Sequence, residues 1–137
     1  PEGLKIGKGR VLCEGHEVAI LSLGPLGNNV TKAIELLETE NIHPTHVDMR
    51  FLKPLDEELL TDIAAHHKVL ITIEDGVAKG GLFSAVSEYI SDHQLDNRLS
   101  HIAIDDRFVP HGDIPSLYNE LGFDAEGIAR VIRKAVR

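Results

Sequence analysis

Two kinds of apolar pattern alternate along this chain. Residues 18–23 (VAILSL) and 68–73 (KVLITI) are near-continuous apolar runs, the mark of strands covered on both faces. Residues 10–14 (RVLCE), 45–51 (THVDMRF) and 99–104 are further strand candidates. In the second of these, Val47, Met49 and Phe51 fall on one side of the alternation. Between the strands the period lengthens. Val30, Ala33, Ile34 and Leu37 are spaced as one helical face, with Asn28, Asn29 or Thr31 to open the helix and Asn41 to close it. Asp56 predicts an N-cap followed by an apolar face of Leu59, Leu60, Ile63 and Ala64, with Glu57 and Glu58 at the positive end. A third helix follows Gly80 and Gly81, with Phe83, Val86 and Ile90 inward. Asp113 opens a short helix that carries Pro115 in its first turn and stops at Gly122. Asp124 caps the last one, whose stripe is Ile128, Val131, Ile132 and Ala135, with Arg133, Lys134 and Arg137 at its negative end.

Alternation of strand and helix predicts an α/β domain, with parallel strands joined by right-handed crossovers and helices on both faces. The chain of 137 residues has room for one such domain. Pro1 to Arg10, with three glycines and three cations, read as an extended lead-in. The expected division is therefore a linker over 1–9 and a domain over 10–137. Through the turn at residues 14–17, the first two strands would pair with each other.

Charge and composition narrow the function. A net charge of −8 repels phosphate backbones, and the lack of Trp removes base-stacking platforms, so no nucleic-acid partner is expected. No apolar run approaches the roughly 20 residues of a membrane span, and no charged-then-apolar leader opens the chain. The expectation is a cytoplasmic protein with no membrane partner. Cys13 is the single cysteine, and reads as a buried, inert thiol.

Ligands of open parallel sheets meet the carboxyl ends of the strands. Those ends carry Gly24-Pro25-Leu26-Gly27, then Asp48 and Arg50, then Glu74-Asp75-Gly76, then Asp105-Asp106-Arg107, with His111 soon after. Glu74 and Asp75 are either an acid–base pair with divergent pKa values or a polar strand exit with one exposed acid. Residues 23–27 lack a phosphate-loop pattern and read as a simple turn. Ser22 stands in L-S-L-G, outside any G-x-S-x-G elbow. The eight histidines, His43 and His46 among them, match no metal motif and read as scattered surface residues, so no metal site is expected. Arg50, Glu74, Asp75, Arg107 and His111 remain as a candidate anion-binding or interdomain rim. Within it, Arg107 is expected to be structural, paired with Asp48, Glu74 or Asp105.

Five strings carry a resemblance: L-K-I-G-K-G (4–9), D-M-R-F-L-K-P-L-D (48–56), I-E-D-G (73–76) with Gly80-Gly81, and D-R-F-V-P-H-G (106–112), continued by E-L-G-F-D-A-E-G-I (120–128). Together they resemble the C-terminal third of the 1-deoxy-D-xylulose-5-phosphate synthases, a transketolase-like family. One departure is A-I-D at 103–105, where that family more usually has G-L-P. The resemblance implies a three-layer α/β/α fold with a mixed five-stranded sheet, mostly parallel. Its first strand would lie antiparallel at an edge, beside the strand at 45–51. It implies a homodimeric parent enzyme that uses thiamine diphosphate and Mg²⁺ to join pyruvate, with loss of CO₂, to glyceraldehyde 3-phosphate. The product feeds isoprenoid, thiamine and pyridoxal phosphate synthesis. The family's cofactor motifs lie upstream of the matched region. The resemblance therefore assigns no catalytic, cofactor or metal residue here, and its partners would be the catalytic domains of the same chain. The rival parents are a transketolase or the β subunit of a 2-oxo-acid dehydrogenase. A free-standing anion-sensing module at the rim is the remaining alternative.

Overall fold

A computed structural model describes residues 6–24, 27–74, 81–103 and 124–136. Five strands are β1 (Arg10–Cys13), β2 (Glu17–Leu23), β3 (Thr45–Asp48), β4 (His67–Glu74) and β5 (Arg98–Ala103). Four helices among the described residues are α1 (Gly27–Glu38), α2 (Glu57–His66), α3 (Gly81–Asp92) and α4 (Ala125–Ala135). The short helix expected after Asp113 lies outside the described residues.

The strands form one sheet in the order β1-β3-β2-β4-β5. β3, β2, β4 and β5 are parallel, while β1 runs antiparallel to β3 at the edge. The turn after β1 thus does not make a hairpin with β2. His16 donates its amide to the His43 carbonyl (2.8 Å), and Gly15 donates to Thr45 Oγ1 (2.9 Å), so the chain steps past β3 before entering β2. Gly15 is required there, since a Cβ would fall 1.8 Å from the His43 carbonyl oxygen.

Central β2 explains the unbroken apolar run, because successive side chains enter different layers. Val18 and Ile20 pack with Val30, Ile34, Ile128 and Ile132 beneath α1 and α4. Ala19 and Leu21 pack with Leu60, Ile63, Leu82 and Val86 beneath α2 and α3. The sheet is thus sandwiched between two helical layers, as expected of a three-layer α/β/α domain.

The helix faces follow the predicted periods, with one shift. In α1 the buried residues are Val30, Ala33, Ile34 and Leu37. Its end is closed by Asn41 at φ 60°, with amides of Asn41 and Ile42 donating to the carbonyls of Glu38 and Leu37. Asp56 and Asp124 cap α2 and α4 through the amides of Leu59 and Gly127. In α3, however, Leu82, Val86 and Tyr89 are buried, while Phe83 and Ile90 are half-buried at the flanks. Cys13 is half-buried rather than buried.

β3 stops at Asp48, short of Phe51. Asp48 Oδ1 accepts the Arg50 amide (3.0 Å), and Arg50 takes φ 61°, which turns the chain out of the sheet before the cis Lys53–Pro54 bond.

Candidate functional site

The described part of the carboxyl rim is built from the ends of β2, β3 and β4 and the starts of α1 and α3. Ser22 is the polar exception in the apolar run from Val18 to Leu23 of β2. Alternation turns it to the α1 side, two residues beyond Ile20. The parallel register sets Ile20 beside His46 and Ser22 beside Asp48. Ser22 Oγ and His46 Nε2 lie 2.8 Å apart, and both side chains are buried. The first turn of α1 covers them closely: a Cβ on Gly27 would stand 3.4 Å from Ser22 Oγ.

Burial pushes the His46 pKa down to about 4, against the opposing pull of the Asp48 carboxylate. The ring is therefore uncharged at neutral pH. It either accepts the Ser22 proton or donates its own, with Ser22 then turned to the Val47 carbonyl 3.4 Å away. His46 corrects the reading of the histidines as surface residues. The Ser22–His46 pair is sealed from solvent, and Asp48 Oδ1 is engaged by the Arg50 amide. Among the described residues the pair serves to join two strands. Sequence reading missed it. Its one signal was a serine and a histidine at positions where strand alternation would bury them.

Glu74, the one of the two acids at this strand exit that lies among the described residues, is buried. It is 1% exposed. Both carboxylate oxygens accept the Leu82 amide at 3.0 Å, and one also accepts the Phe83 amide at 3.2 Å. The chain supplies its own anion to the positive end of α3, so that helix start is already satisfied. Arg50 is half-buried, and among the described residues its guanidinium forms no ion pair. Asp75, Arg107 and His111 lie outside the described residues. Of the candidate rim, the structure therefore places Glu74 at the end of β4 and Arg50 two residues past the end of β3, with β2 between those strands.

At the other end of the sheet the histidines serve as connectors. His67 Nδ1–H donates to the Ile63 carbonyl (2.7 Å), and its Nε2 hydrogen-bonds with Thr45 Oγ1 (2.6 Å). Thr45 in turn accepts the Gly15 amide. His43 bonds to Asn41 Oδ1 (3.1 Å), away from His46.

The described residues do not fit a thiamine diphosphate and Mg²⁺ apparatus. Among them, no three His, Cys, Asp or Glu side chains are grouped to hold a metal. The buried carboxylates are Asp56 and Glu74, and both are committed to backbone amides.

Comparison with known proteins agrees with this geometry. The family described as "Transketolase, C-terminal domain" matches residues 7–128. The 1-deoxy-D-xylulose-5-phosphate synthase of Parabacteroides distasonis is 47% identical over 96% of this chain, and that of Cytophaga hutchinsonii is 46% identical over 96%. This chain spans about a fifth of each relative, 21% of its length, rather than a third. A split-gene transketolase solved as an inactive β4 tetramer superposes with a TM-score of 0.84 at 32% identity, covering 96% of this chain and 43% of that one. A 2-oxoglutarate:ferredoxin oxidoreductase from Magnetococcus marinus shares the fold alone, at TM-score 0.62 and 17% identity, over 95% of this chain and 20% of that one. With the antiparallel edge strand, the two helical layers and a match running through most of its length, the chain belongs to the transketolase C-terminal domain family.

Proposed function

We propose that this chain is the C-terminal domain of a 1-deoxy-D-xylulose-5-phosphate synthase, and that its role there is architectural. The observation that carries the reading is identity of 47% across nearly the whole chain, against a fifth of the relative's length. The rest of such a parent, as catalytic domains in a homodimer, would hold thiamine diphosphate and Mg²⁺. It would join pyruvate, with loss of CO₂, to glyceraldehyde 3-phosphate in the cytoplasm, a precursor step for isoprenoids, thiamine and pyridoxal phosphate. The commitment of Glu74 to α3, and the closure of Ser22–His46 under α1, support a domain that supplies no reacting group of its own. No helix among the described residues is long and apolar enough to cross a membrane.

A chimaera tests the reading. This chain should replace the corresponding domain of the Parabacteroides distasonis synthase with turnover kept within about tenfold, about 1.4 kcal/mol in the barrier. A folded, dimeric chimaera without synthase activity would refute it. Calorimetric titration of the isolated chain with thiamine diphosphate and Mg²⁺ should show no saturable binding.

A further inference from the structure

The segment before β1 is held where an extended lead-in would be expected to swing free. Asp56 is buried, and its two oxygens serve different elements. Oδ1 accepts the Leu59 amide at 3.1 Å and caps α2, while Oδ2 accepts the Gly9 amide at 2.9 Å, across 47 positions of sequence. The fit around this contact leaves no slack. A Cβ on Gly9 would stand 2.9 Å from the Asp48 carbonyl oxygen and 3.0 Å from Leu59 Cδ2. Gly7 adopts φ 79°, and a Cβ there would meet Pro54 Cγ at 2.8 Å. Between the two glycines, Lys8 Nζ reaches Glu58 at 3.7 Å on the surface. The glycines of L-K-I-G-K-G thus seat on the residues of K-P-L-D, two strings far apart in sequence.

We propose that Asp56 is a two-sided clasp that makes residues 7–9 a fixed strap of this domain, so that chain preceding Gly7 departs from one point on the α2 side. Ile6, 80% exposed, is the first described residue beyond the clasp. That the strap thereby orients upstream catalytic domains rests on the proposed function. The clasp itself does not, so its failure in the 137-residue chain is distinct from failure of the chimaera.

Asp56→Asn separates the two roles. Asparagine keeps an oxygen for the Leu59 amide, and is as good an N-cap, but turns an NH₂ toward the Gly9 amide. Hydrogen exchange should then quicken at Gly9 by at least about tenfold, while Leu59 stays within about threefold, because opening of the strap is local. Trypsin should cut after Lys8 faster by a similar factor. Unchanged exchange at Gly9, or equal acceleration at Gly9 and Leu59, overturns the clasp. Gly9→Ala provides a second route that leaves Asp56 intact. It should expose the bond after Lys8 to trypsin with Leu59 still protected, and resistance equal to the parent chain would also overturn the proposal.

Discussion

His46 is a titratable ring that folding keeps neutral, and this gives it a pH signature. In the unfolded chain it takes up a proton near its ordinary value of 6.5, whereas in the folded chain it does so only near 4. Between these values the unfolded state binds more protons, so stability rises with pH. The contribution is complete above pH 6.5 and is lost as pH falls through 4, amounting to up to about 3 kcal/mol. Urea denaturation at a series of pH values should show this slope, and His46→Gln should flatten it. A wild-type slope retained in the variant would assign the effect to other groups. The sequence showed His46 only as one of eight histidines, because its burial depends on a long-range event. β1 and β2 flank β3, and α1 closes over the end of that pairing. Asp56 and Asp124, by contrast, were legible as caps, since their partners lie three residues along the chain.

At the scale of elements, the helix starts are satisfied in two ways. α2 and α4 use the residue just before them, whereas α3 borrows a carboxylate from the end of β4. Glu74 thereby ties a central strand to the helix that follows it. Glu74→Gln retains an acceptor for Leu82 but sets an NH₂ against the Phe83 amide. The expected loss is about 1–3 kcal/mol, in the range of a charged, buried hydrogen bond, read as a lower urea midpoint at unchanged slope. A midpoint equal to wild type would mean that α3 does not depend on this anion. The capping role of Glu74 was not legible in the E-D-G string because its partners stand eight and nine residues away. The α3 face was misread by one position for a related reason. Phe83 is large and apolar, yet it sits half-buried and packs at a tilt against His101, with ring centroids 4.7 Å apart, while Leu82, Val86 and Tyr89 fill the layer. Where one face of a helix was marked by small and aliphatic residues alone, as in α1, period sufficed.

Across the whole molecule, strand order was the feature least legible from local pattern. Pairing β1 with β2 is the economical choice for neighbours separated by a few residues, and only family resemblance placed β1 beside β3. The physical reason is visible in the turn, where Gly15 lies against the His43 carbonyl and lets the chain cross over the start of β3. Apolar layers, by contrast, could be read directly. Each central strand shows its burial on both faces in its own sequence, and Glu40 with Arg133, bonded at 2.7 and 2.8 Å, clips the two helices of one layer together at the surface. That bidentate contact, aided by the Arg133 charge, holds the Glu40 carboxyl below its ordinary value.

β1 pairs with β3 through Val11↔Val47 and then Cys13↔His46, so Leu12 is an extra residue in the ladder, and it is 40% exposed. Such a bulge bends an outermost strand away from the straight, evenly spaced row of amides and carbonyls on which a foreign strand could grow. The expected consequence is that Leu12 guards against fibre formation, at a position where its apolar side chain would otherwise look like a liability. Deleting it would leave Val11 and Cys13 in one continuous register with Val47 and His46. The deletion variant should fold to the same far-ultraviolet spectrum, yet scatter light and bind thioflavin T sooner than the parent chain when both are warmed at equal concentration. Equal lag times would show that the outermost strand is protected by something other than its irregular spacing.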